Sequence, residues 1–318
     1  MLRERGMRVR RAGYAPHIAL FMVQVMFGTW PIFGKIALRA LPSTVLVAFR
    51  VSGATIAFLI LQKLLGSSPS IRRRDYARLA LYSLLGVVLN QFLFVKGLSY
   101  TTVINATLLG TTIPIFTLLV CLLLGLDRVS LRRICGIILA AAGVIYLVDP
   151  MRADFSADTT FGNILIIANS ISYGAYIAIS KDMLKRYGAL TVITWIFIFG
   201  TLFTLPVGAW GVAGNESVKH AGALIWLVVL YIILVPTVGA YYLNAWALAR
   251  VEPSTVAVYI YLQPLIAFIL APLLLNEPLN SRTWIATLLI FAGVAIVSRS
   301  TRSVAIEEVS EHPDALSH

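Results

Sequence analysis

The chain has 318 residues, 59% of them hydrophobic and 13% charged, with a mean hydropathy of +0.86. An average globular domain is about 25% charged, so this composition excludes a soluble domain and points to an all-α integral membrane protein. The formal charge of +12 does not indicate a nucleic-acid partner, because the basic residues sit in short loops between apolar spans.

Residues 1–16 form a basic tail carrying Arg3, Arg5, Arg8, Arg10 and Arg11. The apolar run that follows has no small-residue cleavage site and is long enough to span, so it reads as a retained first helix. A hydrocarbon core about 30 Å thick needs ~20 helical residues at ~1.5 Å each. Ten segments meet that length: 17–38, 43–63, 77–97, 103–125, 131–149, 162–184, 190–212, 222–247, 254–275 and 281–298. Helix stops and N-caps support these cuts at Pro42-Ser43, Pro69-Ser70, Asp149-Pro150, Pro253-Ser254 and Pro278 with Asn280-Ser281. The two tails and the loops after helices 2, 4, 6 and 8 hold 19 of the 26 Lys and Arg, whereas the opposite loops hold only Arg39, Arg152, Lys219 and Arg282. Both termini are therefore expected on the cytoplasmic side. Cys121 and Cys135, in or beside apolar spans, read as small buried hydrophobes.

One unit is used twice. Residues 103–148 return as 253–298 at an offset of 150 without a gap, pairing Pro114 with Pro264, Leu124 with Leu274, Asp127 with Glu277, Arg132 with Arg282, Leu139 with Leu289 and Ala142-Gly143-Val144 with Ala292-Gly293-Val294. Upstream the register slips: Gly28, Lys35 and Leu38 meet Gly174, Lys181 and Leu184 at 146, and Thr44, Val45 and Gly53 meet Thr191, Val192 and Gly200 at 147. The chain thus divides into a tail (1–16), a first five-helix repeat (17–149), a periplasmic linker (150–161), a second five-helix repeat (162–298) and a cytoplasmic tail (299–318). Because five is odd, the second repeat must be inverted relative to the first. That pseudo-symmetry supports inward- and outward-open states around a site at the repeat interface.

A proline in mid-span, an acid in the following turn and then an apolar span with a late glycine resemble the EamA domain of the drug/metabolite transporter superfamily. The likeness runs over roughly 17–299 and departs from the pattern at Asp127-Arg128, where the second copy reads Glu277-Pro278, and at Ala286, where the first copy has Gly136. It implies a secondary transporter of the inner (plasma) membrane, an exporter of a small polar or amphipathic metabolite working by alternating access. The alternatives are a drug or vitamin transporter of the same fold and a non-transporting scaffold or receptor.

All 14 acids and all four histidines fall in loops, in tails or at helix ends. A membrane enzyme needs a buried nucleophile with a base, a carboxylate pair or metal ligands at depth, so an enzyme, a cofactor and a metal site are not expected, and a proton relay is weakly supported. Lys35 and Lys96 lie near the outer helix ends, where their stems can snorkel to the interface. Arg50 lies seven residues into helix 2, about 10 Å deep, and its repeat counterpart is Phe197. EamA-like chains share an arginine early in this helix, and two roles stand open for it: a clamp on broken-helix carbonyls, or a site for an anionic group such as a substrate carboxylate.

Uncharged polar and aromatic residues supply the other pocket candidates: Gln24 and Trp30 in helix 1, Asn90 and Gln91 in helix 3, Asn105 and Thr112 in helix 4, Asn169, Ser170, Tyr173 and Tyr176 in helix 6, and Tyr241, Tyr242 and Asn244 in helix 8. In helix 9, Thr255, Tyr259 and Gln263 recur every four residues on one helical face just before Pro264. Each is either a substrate contact or interhelical glue. Together with Arg50 they suit a small-molecule substrate such as an amino acid or a related compound. Helices 5 and 10 have almost no polar side chains and are expected to face lipid or a partner, for which the fold permits a homodimer. Pro114 and Pro264, matched between the copies, read as static kinks or as hinges.

Overall fold

A bilayer offers no partners to backbone N–H and C=O groups, so apolar runs of this length must satisfy them internally, and helices do so. The computed structural model describes residues 14–65, 70–125, 131–148, 158–213, 215–251, 256, 259–293 and 296, which are helical or in turns, with no strand among them. In chain order the helices are α1 (Ala15–Ala37), α2 (Ser43–Leu65), α3 (Arg73–Tyr100), α4 (Val103–Leu123), α5 (Leu131–Val148), α6 (Asp158–Tyr187), α7 (Ala189–Ala213), α8 (Ala223–Leu248), α9 (Gln263–Leu275) and α10 (281–293). Seven of these, α1 to α4 and α6 to α8, are long and apolar enough to cross a membrane. The apolar part of α5, Ile134–Gly143, and α9 are shorter. The tails 1–13 and 297–318, the Asp127-Arg128 turn, Pro253-Ser254 with Thr255, and residues 150–157 of the linker lie outside the described residues.

Two helices run longer than expected. α3 and α6 reach 28 and 30 residues, which at ~1.5 Å each exceeds a ~30 Å core. Their projecting ends meet: buried Asp75 accepts a 2.6 Å hydrogen bond from the Tyr187 hydroxyl, with Arg186 at 3.5 Å. α6 also absorbs residues 158–161 of the expected linker.

The two halves grip each other reciprocally. α1 packs on α8 and α9, α6 packs on α3 and α4, and α2 packs along α7. At the crossings, a Cβ on Gly28 of α1 would stand 2.6 Å from Ile266 Cδ1, and one on Gly174 of α6 would stand 2.9 Å from the backbone nitrogen of Thr117 and 3.1 Å from Phe116 Cβ. Phe116 and Ile266 are themselves repeat mates, 150 apart. Irregularities repeat in the same way. α3 widens to a π turn at Leu84–Leu89, and α8 does so at Leu234–Gly239. α4 breaks between Gly110 and Ile113, and a 3-10 turn, Ile260–Leu262, precedes α9 at the matching place. Pro114 and Pro264 each stand second in the segment after the break, where the missing N–H is of no consequence.

α5 and α10 lie against each other through Gly143 and Ile290 and expose Ile138, Ile145, Trp284 and Leu288. Neither cysteine is in the core, contrary to expectation: Cys121 is half-buried, and Cys135 is exposed on α5. Lys96 is exposed and lies 4.8 Å from the Tyr100 ring, as a surface lysine should. Lys35 does not snorkel outward. It turns between helices to bond two backbone carbonyls.

Candidate functional site

Arg50 is the largest fully buried side chain among the described residues, 2% exposed in the first half of α2. Burying a guanidinium is costly unless its donors are met, and here neutral groups meet them. Nε donates to Thr237 Oγ1 at 2.6 Å, Nη1 donates to Gln91 Oε1 at 2.5 Å, and Nη2 reaches the Pro236 carbonyl at 3.4 Å. The Trp30 ring lies across it, 3.8 Å from Cζ to the ring centroid, a cation–π contact.

Local sequence explains why α8 presents these acceptors. Pro236 has no N–H to give the Ile232 carbonyl four residues back. The Thr237 hydroxyl takes that carbonyl instead, at 2.7 Å, and offers its own lone pair to Arg50. The π turn around Pro236 therefore turns a helix defect into an arginine cradle.

A polar relay leads on from the guanidinium. With its Oε1 held by Arg50, Gln91 must aim Nε2 the other way, and it donates to the Tyr241 hydroxyl at 2.8 Å. Tyr241 donates to Asn90 Oδ1 at 3.1 Å, and Asn169 donates to the Asn90 carbonyl at 2.7 Å. Gln91 and Tyr241 are exactly repeat mates in number, 150 apart, so this hydrogen bond joins equivalent positions of the two halves.

These groups form one wall of a cavity of about 70 Å³. Phe27, Trp30, Phe94 and Tyr173 make an aromatic wall, and Ala106, Thr107, Gly110 and Ile113 line it where α4 breaks. Gln263 closes the α9 side. No carboxylate lines the cavity among the described residues.

The structure thus brings Trp30, Arg50, Asn90, Gln91, Asn169, Tyr173, Tyr241 and Gln263 to one place. Gln24, Asn105, Thr112, Ser170, Tyr176, Tyr242, Asn244 and Tyr259 do not line it, and Thr255 lies outside the described residues. Gln24 sits behind Gln263 and accepts its amide at 2.6 Å, holding the side chain. Tyr259 shares a 2.9 Å hydrogen bond with His17 Nδ1 away from the cavity. It leaves the Gln263 face because the intervening 3-10 turn advances about 120° per residue instead of about 100°. Asn105 is rotated off the cavity face of α4, which carries Ala106, Thr107, Gly110 and Ile113. Asn244 is buried one turn from Tyr241 and does not line the cavity. Sequence reasoning missed Thr237 and Thr107. A signal for Thr237 existed in the Pro236-Thr237 pair inside an apolar span, since a hydroxyl beside a proline can take the carbonyl that the proline abandons.

Comparison with known proteins agrees with this architecture. An uncharacterized transporter of Archaeoglobus fulgidus is 29% identical over 286 residues, covering 89% of this chain and 96% of the relative. The uncharacterized transporter YetK of Bacillus subtilis is 26% identical, with 88% and 86% covered. Protein WALLS ARE THIN 1 of Arabidopsis thaliana is 25% identical, with 88% and 82% covered. A crystal structure superposes with a TM-score of 0.64 at 17% identity over 89% of this chain and 96% of that one, a likeness of fold. The EamA-like transporter family model matches residues 15–148 and again 160–299, so this two-repeat, multi-pass membrane protein belongs to the EamA-like transporter family.

Proposed function

We propose that the cavity around Arg50 is the solute site of a secondary transporter that exports small carboxylate-bearing metabolites, amino acids and their relatives foremost, by alternating access. In this reading ten helices span the inner (plasma) membrane as two inverted five-helix repeats, with both termini in the cytoplasm and the α3–α4 turn outside. The observation that carries it is the buried guanidinium of Arg50, held by neutral groups, with no carboxylate in the cavity lining among the described residues. An unneutralised buried cation costs several kcal/mol. A solute carboxylate supplies the missing charge through bidentate hydrogen bonds that only arginine's planar fork offers.

The remaining walls suit the rest of such a solute. Asn90, Asn169 and Tyr241 offer amide and hydroxyl groups, and Phe27, Phe94 and Trp30 offer apolar and cation-binding ring faces. At about 70 Å³ the cavity is far below the roughly 300–1,000 Å³ of a loaded ligand pocket. Taking up solute therefore requires the walls to separate, and the breaks before Pro114 and Pro264 are placed where α4 and α9 can bend.

The test is counterflow of labelled amino acids into liposomes holding the purified protein, with wild type beside Arg50→Gln. Accumulation by wild type that is saturable, competed by unlabelled carboxylates and lost in the variant is expected. Accumulation that ignores Arg50, or preference for cationic over carboxylate solutes, would sink the assignment.

A further inference from the structure

One turn, between α3 and α4, is gripped by opposite charges from two other elements. Lys35 of α1 donates to the Leu98 carbonyl at 2.8 Å and to the Thr101 carbonyl at 2.6 Å, meeting the end of α3 where carbonyls lack helical partners. Glu277, just after α9, accepts from the Val103 N–H at 2.8 Å and from the Ile104 N–H at 3.1 Å, meeting the start of α4. A cation at a helix C-terminus and a carboxylate at an N-terminus are each the favourable pairing with the local dipole. α6 holds the same turn from a third side, through the Thr101 to Asn163 hydrogen bond and through Gly97 and Gly162, whose backbones touch so closely that a Cβ on either would stand within 2.9 Å of the other's carbonyl oxygen.

Beneath the turn is a dry layer. Ile32, Leu98, Ile104, Ala267 and Ala271 are at most 2% exposed and pack in one cluster, next to the cavity residues Thr107 of α4 and Gln263 of α9. Above it, Lys35 and Glu277 border a water-accessible recess of about 170 Å³ with Arg39 and Ser99. The charged groups therefore stand at the boundary between an apolar plug and the aqueous side.

We propose that Lys35 and Glu277 form a clasp that seals the solute cavity on the side of the α3–α4 turn, and that solute passes on that side only when the clasp releases. The clasp uses only contacts to backbone groups of a turn, so α1 and α9 can leave the turn without breaking either helix. Released charges meet water in the adjacent recess, which limits the penalty of opening. α1 carries both Lys35 and the cavity residue Trp30, and Glu277 follows directly on α9, whose first residue is the cavity residue Gln263. Movement that widens the cavity at those residues would therefore pull on Lys35 and Glu277.

The proposal rests on the cavity being the solute site of an alternating-access cycle, and a reporter at Thr107 separates the two claims. In full-length protein with Cys121→Ala and Cys135→Ala, Thr107→Cys is exposed to a membrane-impermeant thiol reagent from either face of oriented vesicles. Labelling from the α3–α4 side is expected to rise about tenfold in Lys35→Met and in Glu277→Gln, as a shift in an open–closed equilibrium. It should rise no further in the double variant, because one clasp is already lost, and Lys35→Arg should label as wild type. Labelling from the opposite face should stay the same or fall. An unchanged rate in both folded single variants, or an equal rise from both faces, would overturn the clasp. Should Lys35→Met fail to fold, Glu277→Gln decides alone, since it keeps the side-chain shape and loses the charge. Protection of the reporter by a mixture of amino acids tests the solute site separately. Reporter labelling that no amino acid slows, with the clasp effect intact, sinks the site reading and supports the clasp.

Discussion

The first and second halves of this protein share a scaffold and divide the chemistry. Where α2 buries Arg50, α7 buries Phe197, whose ring packs edge-on against Tyr241 at 5.2 Å and at a tilt against Phe58 at 5.1 Å. Where α3 has Gly86 in its π turn, α8 has Pro236. In α3 the turn's Leu85 carbonyl is taken by the Ser172 hydroxyl, and in α8 the Pro236 carbonyl is reached by Arg50. Gln91 and Tyr241 occupy one repeat position and bond to each other. The backbone irregularities are kept in both halves because the packing of each lead helix on the other half depends on them. Under the proposed function the side chains at those irregularities differ because one solute would be met once, by both halves together. Lysine is kept at the repeat mates Lys35 and Lys181.

The largest effect should come from removing the apolar member of the unlike pair. Phe197 is fully buried, and Phe197→Ala leaves a hole beside Tyr241 and Phe58. A loss on the order of 3 kcal/mol in stability is expected, read as a fall in melting temperature in detergent, with carboxylate affinity of the surviving folded protein little changed. A folded, stable variant that cannot bind would show that the second half contributes more than scaffold here.

The charged member should behave the other way round. Arg50→Lys keeps the cation but loses the fork that spans Thr237 and Gln91. Affinity for carboxylates, measured by calorimetry, should fall by about 1.5–3 kcal/mol, the usual worth of a hydrogen bond to a charged group. The melting temperature should fall less than in Phe197→Ala. Uniform loss of folded protein without selective loss of carboxylate binding would mark Arg50 as a structural clamp alone.

Between these stands the defect that the two halves repair differently. Thr237→Val removes the hydroxyl that satisfies both the Ile232 carbonyl and Arg50 Nε, whereas Ser172→Ala removes the one that satisfies the Leu85 carbonyl. Each should lower stability by about 1 kcal/mol, in line with measured interhelical hydrogen bonds in bilayers. Only Thr237→Val should also weaken carboxylate binding. Equal effects on binding would show that both π turns, and not the arginine cradle alone, shape the cavity.

How much of this was legible follows from which information is local. The repeat, and with it the equivalence of Pro114 and Pro264, is written in residue identity at a fixed spacing. Arg50 announces itself by depth, because a charge about 10 Å inside an apolar span must bond to something in the protein. Its partners do not announce themselves: Gln91 and Thr237 come from 41 and 187 positions away. Lys35 was misread because snorkelling and inward capping look identical from one helix, and the carbonyls that decide between them belong to another. The π turns were invisible, since Leu84–Leu89 is an ordinary apolar string.

The smallest effect tests the misreading on α9, where spacing alone places Tyr259 and Gln263 on one face. With the 3-10 turn Ile260–Leu262 between them they part: Gln263 enters the cavity and Tyr259 turns to His17. Tyr259→Phe deletes one half-buried hydrogen bond and nothing else. It should lower stability by about 0.5–1 kcal/mol and leave carboxylate affinity at the wild-type value. Gln263→Ala removes a cavity wall and also frees Gln24, which accepts its amide, so it should weaken binding while folding nearly normally. The pair is best measured together by ligand-dependent thermal shift, because the melting temperature without ligand reports the loss at Tyr259 and the increment on adding ligand reports the loss at Gln263. If Tyr259→Phe abolishes the ligand increment, the face of α9 runs on through the turn as ordinary helix, and the solute site reaches down to His17.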